Sequence, residues 1–286
     1  MSNVRIVSDS ACDLSEEVAT ALNIDVVPLS IRFGNEEFVD RKDLSPKEFW
    51  RRVAASSILP ETAAPSPGAF EMVFRAAAER GNDAVVCIIL SSKLSATIGA
   101  AQLAATAVAN LITVTVVDSL AITMGLGTMV RTAAELAKSG ADTATIVAAV
   151  ESLKPRTRVY GALDTLDNLK KGGRIGGAQA LIGSLLSIKP MLDLSSGATE
   201  ELGKQRTRSK AIAALVDLVS KAKAQHGAIE NLAIMHGDAP DIDAIVELFV
   251  PLFPREQIVV GQMGAVIGTH AGPRIVGVTF NVPQGA

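Results

Sequence analysis

The chain has 286 residues, enough for two ordinary domains that each bury a core of their own. Its 27 basic and 30 acidic residues leave a formal net charge of −3, too small to favour nucleic acid or an anionic membrane as the main partner. Hydrophobic residues make up 48% of the chain and aromatic residues only 3%, so the interior is predicted to be aliphatic. Cys12 and Cys87 are too few for a disulfide framework, and no apolar run has the length of a membrane span. We therefore expect a globular, cytoplasmic protein.

The first half of the chain alternates short apolar runs with amphipathic or alanine-rich segments. The short apolar runs predict buried strands at 4–10, 24–33, 83–90 and 113–119. The longer segments, several of which begin with serine or proline, predict helices at 15–23, 45–56, 66–81, 94–109, 121–138 and 142–154. Strands that alternate with helices of this length predict a mainly parallel sheet with helices on both faces.

The pattern changes in the second half, where several short strands surround two or three helices. Strands are predicted at 158–164, 187–195, 231–237, 257–263 and 275–282. Helices are predicted at 207–225 and 241–253. This arrangement indicates a second α/β domain, so we predict an N-terminal domain at 1–155 and a C-terminal domain at 156–286. No low-complexity linker separates them, and we expect them to pack around a shared cleft.

Two N-terminal segments place hydroxyl groups beside predicted strands and helices. In ETAAPSPGAF, Thr62 is predicted to lie in a loop whose shape is held by Pro65 and Pro67. In SSKLSATIGA, Ser95 follows the strand at 83–90 and precedes an alanine-rich helix. Hydroxyl groups, free N–H groups and the positive end of a helix dipole together bind carboxylate or phosphate. The alternative is that Ser95 only caps the helix.

Four further residues could carry chemistry. Arg174 follows two glycines in KKGGRIGG and offers a planar charged group, unless it is a surface arginine after a helix end. Arg206 belongs to a basic patch in GKQRTRSKA that is either a solvated face or a docking surface for an acidic partner. Asp9 ends the first strand, where it could bind a ligand or cap a turn. His270 lies among glycines in IGTHAGP, and an imidazole that titrates near neutral pH invites a catalytic interpretation.

In chain order, the motifs SDSACDL, ETAAPSPGAF, LSSKLSATIGAA, LDTLDNLKKGGRI, LLSIKPML, GKQRTRSKA and IGTHAGP resemble those of the DegV family of fatty-acid-binding proteins. The family pattern is similar to DS..DL, TSQPS, LSSxLSGT, D(T)LxxLKKGGRI, LLxIKPIL, RTRxKA and GTHxGPG. The resemblance runs from residue 8 to about 280. It implies a two-domain α/β fold, with a parallel sheet in the N-terminal domain, and one long-chain fatty acid such as palmitate buried between and within the domains.

The resemblance also implies a lipid-binding carrier and no enzymatic activity of its own. Members that resemble bacterial FakB present the bound acid to a separate fatty acid kinase subunit, which phosphorylates the carboxylate to an acyl phosphate for phospholipid synthesis. It implies no metal and no cofactor beyond the bound fatty acid. We expect a monomer that makes at most transient contact with a membrane.

The motifs assign roles to five residues through this resemblance. Thr62 matches the threonine of TSQPS and Ser95 the serine of LSGT, and both are expected to hydrogen-bond the fatty-acid carboxylate. His270 matches the histidine of GTHxGPG and is expected near the same head group. Arg174 matches the arginine of GGRI, and Arg206 falls in the segment that resembles the kinase-contact region.

The chain departs from the family pattern at several points. TSQPS reads TAAPS and LSGT reads LSAT, so the hydroxyl groups of Thr62 and Ser95 are kept while a serine, a glutamine and a glycine become alanine. Arg274 stands in place of the last glycine of GTHxGPG, where it either adds a charge near the mouth of the pocket or faces solvent. Two alternatives stay open: a hydrolase or phosphotransferase that uses His270 with Ser95 or Asp9, and a regulatory sensor of another hydrophobic carboxylate.

Overall fold

A four-stranded parallel sheet organises the first part of the chain in the computed structural model, which describes residues 2–181 and 188–285. The strand order is β2-β1-β6-β7. Its strands are β1 (Val4–Asp9), β2 (Ile24–Val27), β6 (Ala84–Ile89) and β7 (Thr113–Asp118). Every residue of β6 is buried, as expected for an interior strand covered on both faces. The predicted parallel sheet is confirmed.

Six helices accompany this sheet, and their starts follow from local chemistry. They are α1 (Glu16–Ala21), α2 (Pro46–Ala55), α3 (Pro67–Glu79), α4 (Thr97–Ala107), α5 (Thr123–Lys138) and α6 (Thr143–Leu153). Ser45 and Ser66 each accept a hydrogen bond from the backbone N–H three residues later, and a proline follows each as the first helical residue. Proline suits that position because its missing N–H has no partner inside the helix.

The predicted strand at 24–33 is wrong, because the chain breaks it at Pro28. Only β2 joins the parallel sheet, whereas the following residues form part of a separate antiparallel sheet of order β4-β3-β5. Its strands are β3 (Ser30–Phe33), β4 (Glu36–Val39) and β5 (Glu61–Ala63). Proline has no N–H to continue the hydrogen-bond ladder. The loop predicted around Thr62 is also wrong, since Thr62 pairs with Ile31 across the strands β5 and β3.

A six-stranded mixed sheet occupies the second part of the chain, with the order β10-β9-β8-β13-β11-β12. Its strands are β8 (Thr157–Ala162), β9 (Lys189–Asp193), β10 (Glu200–Gln205), β11 (Glu230–His236), β12 (Val259–Gln262) and β13 (Val276–Asn281). Only β11 and β12 are parallel neighbours, and the other pairs are antiparallel. The helices of this part are α7 (Asp167–Lys171), α8 (Arg208–His226), α9 (Ile242–Glu247) and α10 (Ala265–Ala271).

Three elements of this part differ from the prediction. The helix predicted at 241–253 ends at Glu247, and turns that contain Pro251 and Pro254 follow it. Strand β10 and helix α10 were not predicted, because half of the residues of β10 are charged and α10 contains little polarity to mark one face. The first three residues of the LLSIKPML motif, 185–187, lie outside the described residues.

The main hydrophobic core is shared by both large sheets. Helix α5 contacts β1 and β6 of the parallel sheet and also β8, β11 and β13 of the mixed sheet. A second apolar cluster lies between the mixed sheet and helices α8 and α9. The six-stranded sheet begins at Thr157, but the division of the chain between residues 155 and 156 stays a prediction. Among the residues that the structure describes, no helix is both long and apolar enough to cross a membrane.

Candidate functional site

A cavity lies where the parallel sheet faces the mixed sheet. The chain runs from β1 to β2 on one side and later to β6 on the other, so β1 and β6 mark the switch point of the parallel sheet. Open α/β sheets bind ligands at the carboxyl ends of the strands at this point. Leu90, directly after β6, lines the cavity, and so does Leu29, which follows β2.

The cavity wall is mainly hydrocarbon and comes from both halves of the chain. It encloses about 800 Å³ of space, which includes the part open to solvent. Its apolar side chains include Leu94 and Ile122 from the N-terminal half and Leu163, Leu192 and Ile267 from the C-terminal half. A mainly hydrocarbon lining of this kind is typical of pockets for small hydrophobic ligands.

All four residues predicted to bind the ligand line this one cavity, although they come from four separate segments. We call them the head-group cluster: Thr62, Ser95, Arg174 and His270. The most direct contact within it joins Thr62 Oγ1 and His270 Nε2, which lie 2.9 Å apart. Strand β5 carries the threonine and the last turn of α10 carries the histidine, so the pair connects the two halves of the fold.

His270 is neutral in this environment. Burial and, to a lesser extent, the positive charge of Arg174 lower the pKa of His270 to about 4. A neutral imidazole carries one N–H donor and one acceptor nitrogen. Its Nδ1 atom is buried and has no hydrogen-bond partner within residues 2–181 and 188–285.

Three glycines allow α10 to bring His270 to the cavity. A Cβ atom on Gly172 would lie 2.3 Å from His270 Nδ1, and one on Gly268 would lie 2.5 Å from a ring carbon of Phe49. The N–H of Gly264, which precedes α10, donates to the buried carboxylate of Asp13 over 2.9 Å. The close approach of ring and backbone at Gly172 therefore requires the absence of a side chain.

Ser95 lies in the turn that connects β6 to α4. Its Oγ is 2.8 Å from Thr97 Oγ1 and accepts a weak hydrogen bond of 3.3 Å from Thr97 N–H. The residue in the N-cap position is Ala96, whose side chain cannot accept a hydrogen bond. The interpretation of Ser95 as a simple helix cap is therefore wrong in position, and Ser95 is one of the residues that line the cavity.

Arg174 crosses from the C-terminal half to the turn that carries Ser95. Its Nε donates to the backbone oxygen of Leu94 at 3.0 Å, and its Nη1 donates to the oxygen of Gly172 at 2.6 Å. Gly173 adopts a left-handed backbone with φ of +69°, which glycine tolerates without strain. The side chain is half-buried and lines the cavity, in contrast to the alternative of a free surface arginine.

Asp9 is buried and is not among the described residues that line the cavity. Its two oxygens accept hydrogen bonds from Leu90 N–H at 2.8 Å and from Ala11 N–H at 2.9 Å. Burial raises the pKa of Asp9 to about 7. The turn-capping interpretation of Asp9 fits these bonds.

Sequence reasoning missed Asp13, whose carboxylate holds several elements together. Besides Gly264, it accepts a hydrogen bond from Thr123 Oγ1 at 2.7 Å and pairs with Arg41 at 3.3 Å. Asp13 has a left-handed backbone with φ of +52°. The signal in the sequence is the second aspartate of SDSACDL, four residues after Asp9.

The basic residues Arg206 and Arg274 lie outside the cavity wall. Arg206 is exposed just before α8. Arg274 has φ of +61°, a backbone that favours glycine, and its guanidinium lies 3.4 Å from Asp164. Its backbone oxygen also accepts a hydrogen bond of 2.6 Å from Arg208. Arg274 therefore forms an ion pair with Asp164, an arrangement that neither alternative predicted.

Comparisons with known proteins agree with this architecture. A family model described as an uncharacterised protein of the DegV family matches residues 3–282. The chain belongs to the DegV family. A DegV domain-containing protein of Deinococcus radiodurans is 37% identical over 280 residues, which cover 97% of this chain and 98% of the relative.

Two solved structures of the family have closely similar folds. A DegV family protein from Thermus thermophilus, described by its fatty acid binding, has a TM-score of 0.89 and 34% identity. The match covers 98% of this chain and 100% of the Thermus chain. DegV of Bacillus subtilis, described as a fatty acid binding protein, has a TM-score of 0.87 and 30% identity. The match covers 99% of this chain and 100% of the Bacillus protein. The predicted two-part α/β fold of the DegV type is therefore confirmed.

Proposed function

We propose that this DegV family member binds a long-chain fatty acid in the cavity and presents its carboxylate to a separate fatty acid kinase. The observation that carries the proposal is the gathering of the head-group cluster at a cavity whose remaining wall is mainly hydrocarbon. Such a wall suits an alkyl chain, and such a cluster suits a carboxylate. The fatty-acid binding of the two structural relatives supports the same ligand class.

The head-group cluster offers donors that can replace the water around a carboxylate. Burying an isolated carboxylate is costly unless charge-assisted hydrogen bonds compensate it. Thr62 and Ser95 supply hydroxyl groups, and Arg174 supplies a positive charge with further N–H groups. Neutral His270 either accepts a hydrogen bond from the Thr62 hydroxyl or donates one to it. In both cases the bond orients that hydroxyl relative to the ligand.

The tail of the ligand supplies most of the binding free energy. Each buried CH₂ group contributes about 0.8 kcal/mol, so the tail of palmitate contributes on the order of 10 kcal/mol before the losses of ordering. An acid held this firmly stays bound through purification. The proposal includes a buried tunnel for this tail, formed between the two sheets.

In the proposed carrier role, a separate kinase carries out the phosphorylation of the fatty acid. The kinase transfers the γ-phosphoryl group of ATP to a carboxylate oxygen, which yields an acyl phosphate and ADP. The exposed Arg206 belongs to the surface proposed to contact that kinase. Neither Asp9 nor another described carboxylate appears in the cavity wall, and His270 contacts Thr62 instead of Ser95. This geometry disfavours the pairing of His270 with Ser95 or Asp9 on which the hydrolase alternative depends.

Extraction of the bound ligand tests the proposal. We expect mass spectrometry of gently denatured protein to release a stoichiometric long-chain fatty acid, and the stripped protein to take up palmitate. A stripped protein that binds neither palmitate nor oleate would overturn it, and stronger binding of another hydrophobic carboxylate would favour the sensor alternative.

A second assay tests presentation to the kinase. The protein loaded with ¹⁴C-palmitate is incubated with ATP and a bacterial fatty acid kinase, and acyl phosphate is trapped with hydroxylamine. Arg206→Ala is expected to raise the KM of the kinase for the loaded carrier without changing palmitate affinity. Equal KM values for the two carriers would remove Arg206 from the contact surface.

A further inference from the structure

Thr199 is a buried residue of the cavity wall that no motif drew attention to. It lies directly before β10, is 2% exposed, and shares the cavity with the head-group cluster. Its Oγ1 atom is buried and has no hydrogen-bond partner among the described residues of the chain. A buried hydroxyl left unpaired is unfavourable, so a ligand that pairs with it gains affinity.

The chain before Thr199 is attached to the turn that carries Ser95. Ser91 begins this turn, and its hydroxyl donates to the backbone oxygen of Gly197 over 2.6 Å. Within the turn, the N–H of Ser95 donates to the oxygen of Ser91 over 3.2 Å. Gly197 therefore places Thr199, two residues later, beside the segment of Ser95.

The backbone of Thr199 itself is attached to the segment that carries Arg174. The N–H of Gly177 donates to the oxygen of Thr199 over 2.8 Å, three residues after Arg174. A Cβ atom on Gly176 would lie only 2.5 Å from that same oxygen, so the two backbones are in close contact. Thr199 is thus held between the segments of two residues of the head-group cluster.

We propose that Thr199 Oγ1 donates a hydrogen bond to the carboxylate of the bound acid, as a further head-group residue. This inference rests on the proposed fatty-acid binding. A carboxylate has two oxygens with about four acceptor sites, which leaves room for a donor besides Thr62 and Ser95. The alkyl tail has no acceptor, so a hydroxyl placed against the tail would stay unpaired.

Thr199→Val tests the proposal, because valine keeps the shape of threonine and removes only the hydroxyl. We expect the affinity for palmitate to fall about tenfold, since a hydrogen bond to a charged group is lost. The affinity for hexadecanol, which has the same tail without a carboxylate, is expected to stay within about twofold. Thr199→Ser keeps the hydroxyl and is expected to bind palmitate as the unchanged protein does.

Thr279 provides a matched control. It lies on β13, is 2% exposed, and its Oγ1 is likewise without a partner in the described part of the chain. It is not among the residues that line the cavity. Thr279→Val is therefore expected to leave the affinities for both ligands unchanged.

The pKa of the bound palmitate carboxyl group distinguishes a hydrogen bond to the ligand from a role of Thr199 in packing alone. The carboxyl ¹³C signal of labelled palmitate is followed against pH in each variant. Loss of a donor to the ionised carboxylate raises the ligand pKa, so Thr199→Val is expected to raise it and Thr279→Val is not. If Thr199→Val does not fold, Thr199→Ala is read in the same way.

The outcomes separate this inference from the function on which it rests. Equal loss of palmitate and hexadecanol affinity in Thr199→Val, or an unchanged affinity and ligand pKa, would overturn the role of Thr199 while leaving fatty-acid binding intact. Absence of palmitate binding by the unsubstituted protein would instead overturn the proposed function.

Discussion

A buried acidic pair and the partly buried head-group cluster use their hydrogen bonds differently in this molecule. The acidic pair, Asp9 and Asp13, accepts hydrogen bonds from the protein on both oxygens of each carboxylate. The head-group cluster retains unused capacity, because Nδ1 of His270 lacks a partner in the described chain and Arg174 uses two of its five N–H groups.

This difference separates residues that hold the fold from residues that suit a ligand. The acidic pair connects the ends of β1 and β6, the start of α5 and the start of α10, so its bonds are internal. The head-group cluster opens onto the cavity. Substitutions in the first group should therefore change stability, and substitutions in the second should change binding.

The largest expected effect is on stability, from Asp13→Ala. The substitution removes the fully buried carboxylate that pairs with the partly buried guanidinium of Arg41 and accepts hydrogen bonds from Thr123 and Gly264. Breaking a buried ion pair by removing one partner costs about 3–5 kcal/mol. Urea unfolding of the ligand-free protein measures the difference, and Asp142→Ala, at an exposed helix cap, is the control with an expected loss of about 1 kcal/mol. A loss for Asp13→Ala no greater than the control would contradict the structural role.

The next effect is a dependence of stability on pH that comes from Asp9. Burial raises its pKa to about 7 from 3.8, so between these values the folded state binds more protons than the unfolded state. The raised pKa of Asp9 therefore adds to the free energy of unfolding in full below about pH 4. This stabilisation, at most about 4 kcal/mol, is lost as the pH rises through about 7. Asp9→Asn should flatten this decline in urea unfolding measured across the range. The same decline in both proteins would show that Asp9 is not its source.

A smaller effect is expected from His270→Ala, and it should fall on binding. The variant loses the group that orients the Thr62 hydroxyl, so palmitate affinity should fall about tenfold or more, while the ligand-free protein stays folded. Phosphorylation of the bound acid by the kinase should fall as well. His226→Ala, on α8 and away from the cavity wall, is the control for losing a histidine. Unchanged phosphorylation of palmitate in His270→Ala would remove His270 from the head-group cluster.

The smallest effect is expected from Gly172→Ala, which changes the position of His270 without removing it. The new Cβ would lie 2.3 Å from Nδ1, so the ring must shift, which disturbs its 2.9 Å contact with Thr62. We expect palmitate affinity to fall about threefold to tenfold, measured by displacement of a fluorescent fatty acid. Gly99→Ala in α4 has no atom within 4 Å of the new Cβ, and it should leave affinity unchanged and stabilise the helix by about 0.5–1 kcal/mol. Equal affinities in the two variants would show that the ring position is unimportant.

Sequence patterns predicted the elements with strong local signals. The parallel strands follow from short apolar runs such as residues 83–90, and α2 and α3 follow from a serine cap with a proline behind it. The patterns failed where tertiary contacts outweigh local preference. β5 has three residues and exists because β3 lies beside it, and α10 is a nearly apolar helix that packs in the interior.

The sequence by itself determined the alternation of strands and helices, the aliphatic interior and the order of the motifs that mark the DegV family. Only the tertiary structure decided which polar groups face the cavity. Thr62 and His270 are 208 residues apart and meet because two unpredicted elements pack against each other. Asp9 and Ser95 were both candidates for a polar role in the sequence, yet backbone N–H groups occupy both Asp9 oxygens while Ser95 lines the cavity. The number of hydrogen bonds that a polar group can still make to a ligand depends on all of its neighbours in space. The local sequence describes only a few of those neighbours.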